Sequence, residues 1–146
     1  MITIERVTAW SPELETATAR LLPQLSPART PPDRAALEEL LADPHATLLA
    51  ARAGGDIVGV ALVAMHRMLT HLTARLEDVV VDERVRGHGA GQALVAAAID
   101  EARRRGAPAI ELHTAGWREA ANRLYPRMGF RRYESNIYVR ELGAEP

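Results

Sequence analysis

Three glycines, at positions 87, 89 and 91, stand between an apolar run, Val79-Val80-Val81, and a segment in which Leu94, Val95, Ala98, Ile99 and Ala102 recur at helical spacing. Glycine admits backbone conformations that other residues resist, and it lets amide N–H groups approach a ligand closely. At a helix N-terminus those amides are unpaired and lie at the positive end of the helix dipole. A strand, a glycine-rich turn and a helix in this order therefore form a site for phosphate or pyrophosphate. Arg86 adds a mobile positive charge at its rim. The competing reading is a plain flexible turn; three glycines plus an arginine at a strand-to-helix junction argue against it.

The ligand is narrowed by what is missing. A P-loop requires Gly-Lys-Ser/Thr, and the chain has none. A dinucleotide fingerprint requires a third glycine where Gln92 stands. Glu111 lies where a ribose-binding acid belongs, but the chain before the turn reads as an antiparallel meander rather than repeated βαβ units. The dinucleotide reading is rejected.

The elements that position this turn follow from pattern. Residues 2–8 alternate as a strand. Ser11-Pro12-Glu13 opens a helix that should end near Pro23, and Thr30-Pro31-Pro32-Asp33 opens a second that stops at Asp43-Pro44. Strands are expected at 46–53, 57–66 and 73–81, the first two joined by a Gly54-Gly55-Asp56 turn. A helix over 90–105 and a strand over 109–113 make a parallel crossover. A short helix over 117–128 and two final strands, 130–133 and 136–141, complete the reading, with a frayed tail at 143–146.

Composition sets the class. A chain of 146 residues is the size of one domain, and 47% of it is hydrophobic, enough for a core. Its net charge of −1 argues against a general nucleic-acid binder. With no cysteine there is no disulfide, thiol nucleophile or thiolate metal site. His66, His71 and His113 lack metal-ligand spacing, so no metal is expected. No apolar run reaches membrane-spanning length and no signal peptide is evident, so a cytoplasmic protein is expected. Trp10 and Trp117 read as packing residues, and Arg103-Arg104-Arg105 as the surface of a helix end.

The segment VVVDERVRGHGAGQALVAAAIDEA resembles the central motif of the GNAT superfamily of acyl-CoA-dependent N-acetyltransferases. Its signature, Gln/Arg-x-x-Gly-x-Gly/Ala, is matched by Arg86-Gly87-His88-Gly89-Ala90-Gly91. AANRLYPRMGF, residues 120–130, resembles the second motif of that family, and the order of elements agrees from residue 2 to about 141. The resemblance implies an α/β (α+β) GNAT fold in a single domain spanning 1–146. Its mixed, twisted sheet of about six to seven strands would carry helices on both faces and open in a V between the fourth and fifth strands.

It also implies roles. Arg86, Gly87, His88, Gly89, Ala90 and Gly91 would bind the pyrophosphate of acetyl-CoA, with His88 a solvated neighbour of the cofactor. Val79, Val80 and Val81 would lend main-chain groups to the pantetheine arm, and Gln92 a side-chain contact. Tyr125 takes the position of the general acid: a phenol with a pKa near ~10 can protonate a departing thiolate whose thiol has a pKa near ~8.5. The alternative is a core tyrosine beside Leu124 and Phe130. Many relatives carry an Asn where Arg118 stands. Asn122, one turn later on the same face, or Arg118 reaching a phosphate or a substrate acid are both open readings.

An attacking amine must first lose a proton. LEDVVVD resembles the acceptor-site segment of glucosamine-6-phosphate N-acetyltransferases and small aminoalkyl relatives, which makes Glu77 the expected base and Asp78 the second choice. Adjacent strand residues point to opposite faces, so only one need face the substrate. His66, Arg67 and His71 are expected in a loop bordering the acceptor pocket. The expected activity is direct acetyl transfer to a primary amine of a small molecule. The rivals are an amino-sugar-phosphate acceptor, which requires Arg or Lys on the acceptor side, and a non-catalytic acyl-CoA-binding regulatory module. A homodimer through strand 136–141 is expected, because relatives often pair through such strands.

Overall fold

The computed structural model describes residues 1–143; the tail expectation for 144–146 lies outside the described residues. The chain runs β1 (Ile2–Val7), α1 (Pro12–Leu25), α2 (Arg34–Ala42), β2 (Ala46–Ala53), β3 (Asp56–Arg67), β4 (Leu72–Val81), a 3₁₀ turn (Glu83–Val85), α3 (Ala90–Arg104), β5 (Ile110–Glu111) and α4 (Glu119–Arg127). The helix starts are those the sequence signals. The hydroxyl of Ser11 accepts from the Leu14 amide, and the carboxylate of Asp33 from the Ala36 amide. α1 continues two residues past Pro23 and closes on a hydrogen bond from the Ser26 amide to the Leu22 carbonyl.

The five strands form one sheet in the order β1-β2-β3-β4-β5. The first four pair antiparallel, and β4 and β5 pair parallel across the α3 crossover. α1 and α2 cover one face, where Leu14, Leu21 and Leu37 pack on Leu48, Val60 and Val80. α3 covers the other, where Leu94, Val95 and Ala98 pack on Val58, Ala61, Val63 and Leu76, with Leu124 and Tyr125 of α4 against the same cluster. Helices on both faces of a mixed sheet is the expected architecture.

Two features differ from the sequence reading. β5 pairs with β4 at only two positions, Ala74 with Ile110 and Arg75 with Glu111. The two final strands do not form: 131–142 is exposed and enters no strand ladder among the described residues, and Tyr133, Ile137, Tyr138, Val139 and Leu142 are each at least 64% exposed. The sheet thus has five strands, not six to seven. The alternating 136–141 segment has strand propensity, but propensity is realised only against a partner edge, and a two-residue β5 offers almost none.

Candidate active site

The sheet opens where β5 ends. From residue 76 onward, the side of β4 facing β5 has no strand neighbour among the described residues. That open edge runs down Val79, Val80 and Val81 into the glycine-rich turn. An extended chain with amide groups, such as the pantetheine arm, can pair with it as an added strand would.

Beside this gap β4 carries a bulge. Val60 of β3 stands opposite Val80, and Leu62 opposite Glu77, so Ala61 on one strand faces both Asp78 and Val79 on the other. Asp78 adopts the left-handed conformation, φ 52°, which aspartate tolerates better than most residues. The extra residue resets the alternation. Glu77 comes to lie opposite Leu62 on the face covered by α1 and α2, the face to which Val80 also belongs. Glu77, Asp78 and Val79, three consecutive residues, then line one cavity of about 500 Å³. Both acids line this cavity, although adjacent residues of a regular strand point to opposite faces, because strict alternation does not survive a bulge.

The cavity passes through the gap between β4 and β5. One side is walled by α1, α2 and their connection, including Leu22, Leu25, Arg29 and Leu40; the other by Leu112, His113, Thr114, Arg118 and Tyr125. Arg75 donates from Nε to the Glu77 carboxylate at 2.8 Å and lies 3.3 Å from Nδ1 of His113, which fixes Glu77 at the wall. Burial and the neighbouring Glu77 charge push the Asp78 carboxyl above the usual carboxylate range, and the Arg29 charge only partly opposes them. Burial pushes the Tyr125 phenol up, against the opposing Arg118 charge, so the hydroxyl keeps its proton at neutral pH. The Tyr125 ring is held edge-on to Phe130, centroids 5.5 Å apart. Sequence reasoning missed Arg29 and Thr114, whose hydroxyl oxygen is buried without a partner among the described residues. No local pattern marks either one.

The other end of the gap is the anion site. Gly87 and Gly89 have φ of 84° and 86°, which an L side chain rarely adopts, and a Cβ at either would meet open space. These glycines are required by backbone shape, not by packing. Gly89 caps α3 without a side-chain hydrogen bond, so the amides of Ala90, Gly91 and Gln92 have no intrahelical partner. Arg86 and His88 are exposed at the turn; Arg86 donates from Nε to the Val81 carbonyl, and His88 Nδ1 lies 3.2 Å from the Val85 and Arg86 carbonyls. Upstream, buried Asp82 accepts from the Arg84 amide and pairs with the guanidinium groups of Arg84 at 2.7 Å and Arg20 at 3.3 Å. This ties the turn to α1. The free amides, open cradle and adjoining unpaired strand edge fit an extended molecule with an anionic head.

Other expected residues lie elsewhere. Asn122 is exposed and donates to the Ala115 and Arg118 carbonyls, bracing the loop before α4. His66, Arg67 and His71 lie at the β3–β4 hairpin and do not line the cavity. Trp117 is 77% exposed, so it is not a packing residue. Trp10 is held by a hydrogen bond to Glu15 and by Arg34 stacked 4.0 Å from its ring. Among the described residues no cluster of His, Cys, Asp or Glu is arranged to hold a metal ion.

Residues 13–130 match the model of the acetyltransferase (GNAT) family. The chain belongs to that family. Members of this family use acetyl-CoA. This GNAT domain is 38% identical over 84 residues to streptothricin acetyltransferase of Streptomyces lavendulae, covering 58% of this chain and 43% of that one. It is 34% identical over 93 residues to aminoalkylphosphonate N-acetyltransferase of Salmonella typhimurium, covering 62% of this chain and 60% of that one. The matched region thus spans roughly half the length of these curated relatives. Among solved structures, one described as a transcriptional regulator from Bacillus halodurans superposes with a TM-score of 0.84 at 28% identity, covering 97% of this chain and 100% of that one.

Proposed function

We propose that this GNAT domain is an acetyl-CoA-dependent N-acetyltransferase acting on a primary amine of a small molecule. The observation that carries this reading is the cavity at the β4–β5 gap, which brings two carboxylates and a protonated phenol together at the open edge of β4. In the proposed reaction Arg86, Gly87, His88, Gly89, Ala90, Gly91 and Gln92 bind the pyrophosphate end of the donor, and Val79, Val80 and Val81 pair with its arm. The acceptor ammonium gives its proton to the Glu77–Asp78 pair. Glu77, held in place by Arg75, is the first acceptor, and the raised carboxyl of Asp78 beside it makes the pair a better base. The neutral amine attacks the thioester carbonyl; a C–N bond forms, the C–S bond breaks, and Tyr125 protonates the leaving sulfur. No covalent enzyme intermediate is needed.

The exposed apolar side chains Ile137, Tyr138, Val139 and Leu142 support a homodimer in which a second chain covers them. Light scattering should give twice the chain mass; a concentration-independent monomer contradicts the dimer. Acetyl-CoA as the donor supports a cytoplasmic location. Arg29 and Arg118 on the cavity wall meet the requirement for an anionic acceptor such as an amino-sugar phosphate. The structural likeness to a protein described as a regulator keeps a non-catalytic module as the second reading. An assay of free thiol released from acetyl-CoA over a panel of primary amines, with acetylated product identified by mass, separates the two. A catalyst releases thiol only when an amine is present; a binding module holds the donor and releases none.

A further inference from the structure

The polar and apolar groups of the acceptor side are divided in space in a way that specifies more than an amine. The α1–α2 side of the cavity carries Leu22, Leu25, Leu37 and Leu40, with Leu62 of β3 beneath, alongside the hydroxyls of Thr18, Ser26 and Thr30. At its lip stands Arg29, in the connection between the two helices. Its guanidinium has no hydrogen-bond or ion-pair partner among the described residues, although its charge acts on Asp78. Glu77, by contrast, already has a cation in Arg75. A free cation near a carboxylate, yet beyond ion-pair distance of it, is matched by a ligand that carries an amine and an acid group a few bonds apart. The ammonium meets Asp78 and the acid meets Arg29, so each charge at the cavity gains an opposite. The four leucines then favour a hydrocarbon remainder for that ligand. A sugar ring would strip its hydroxyls of water against leucine without replacing the lost hydrogen bonds.

Resting on the proposed acetyl transfer, we propose that the acceptor is an apolar α-amino acid, its amine at Glu77 and Asp78, its carboxylate at Arg29 and its side chain against Leu22, Leu25, Leu37 and Leu40. The amine nitrogen takes the acetyl group, its proton passes to the carboxylate pair, and the products are the N-acetyl amino acid and free CoA thiol.

The test is kcat/KM, by thiol release, for leucine, methionine and phenylalanine, for the three amines left when each loses its carboxylate, and for glucosamine 6-phosphate. The expected result is at least about a tenfold preference for each amino acid over its decarboxylated amine and over the amino-sugar phosphate, an order of magnitude being about 1.4 kcal/mol of discrimination. Arg29→Gln should reduce that preference toward unity while thermal midpoint and acetyl-CoA affinity stay those of the parent. Equal or better turnover of the decarboxylated amines, a preference for glucosamine 6-phosphate, or a preference that survives Arg29→Gln overturns the assignment and leaves the acetyl transfer intact. Absence of thiol release with every amine overturns the transfer reading itself.

Discussion

Glu101 and Asp82 are almost wholly withdrawn from solvent, yet both are held charged; Asp78, at the cavity, is held toward its protonated form. Burial pushes Glu101 up, but hydrogen bonds from Arg104 at 2.8 Å, Thr47 at 3.0 Å and Arg6 outweigh it and hold the carboxyl below its usual range. Arg105 stands 4.0 Å away. Asp82 is held far below its usual range, first by the hydrogen bond from Arg84 and then, against burial, by the Arg84 and Arg20 charges. Asp78 has no such enclosure. Its neighbour on the bulge is another acid, and its nearest cation does not reach ion-pair distance. Saturating a buried acid with guanidinium groups fixes structure; withholding them leaves a group able to accept a proton.

The sharpest break in that contrast is at the arginine-clad end. Glu101→Gln leaves three guanidinium groups facing an uncharged side chain at the end of α3. Chemical denaturation should show a loss of about 3 kcal/mol, at the low end for breaking a buried pair because Arg6 and Arg104 retain access to water. Both structural acids have folded pKa values below their unfolded values. They therefore stabilise the fold above about pH 4, the unfolded range, and that stabilisation is lost as pH falls through their folded values. Unfolding followed from pH 7 to pH 3 should show this loss in the parent and less of it in Glu101→Gln.

A smaller effect is expected at the anion site. Gly89→Asp forces an L residue to φ 86° and sets a carboxylate against the incoming pyrophosphate. Calorimetry should show acetyl-CoA binding weakened at least about tenfold, or 1.4 kcal/mol, with the protein still folded. Unchanged affinity would remove the turn from the site.

The smallest stability effect, and the most informative, is at Asp78. A raised folded pKa means the charged form costs stability at neutral pH, a penalty that fades as pH falls toward the ordinary carboxylate range. Asp78→Asn removes the charge and keeps a residue tolerant of the left-handed conformation. Its thermal midpoint at pH 7 should equal or exceed that of the parent while turnover falls. A lowered midpoint would place Asp78 with Glu101 and Asp82 as a structural acid.

The legible and illegible parts of this molecule divide along a physical line. Ser11-Pro12 and Asp33 announce helix starts because caps act within a few residues. The glycines at 87 and 89 announce the turn because positive φ is a local demand. The bulge at Asp78 is a mismatch between two strands, and nothing in Leu76-Glu77-Asp78-Val79 alone counts the residues of β3. The expected final strands do not form because the alternation of Ile137, Tyr138 and Val139 is real but meets no strand edge among the described residues. Arg104 and Arg105 read as surface because the acid they enclose, together with Thr47 and Arg6, is assembled from three separate elements. Arg29 carries no pattern; only the folded α1–α2 connection brings it to the cavity lip.

The proposed acetyl transfer turns on proton movements at one cavity, and kcat across pH for Tyr125→Phe and Glu77→Gln, with one accepted amine, tests it most directly. Tyr125→Phe keeps the ring against Phe130 and deletes only the hydroxyl. Turnover should fall on the order of 10²-fold, the usual contribution of a general acid, with acetyl-CoA affinity little changed and no recovery at high pH. Glu77→Gln should also lower turnover, but its defect should lessen as pH rises and more of the amine is already neutral. Parent-like turnover in Tyr125→Phe would contradict the account and leave protonation of the sulfur to water.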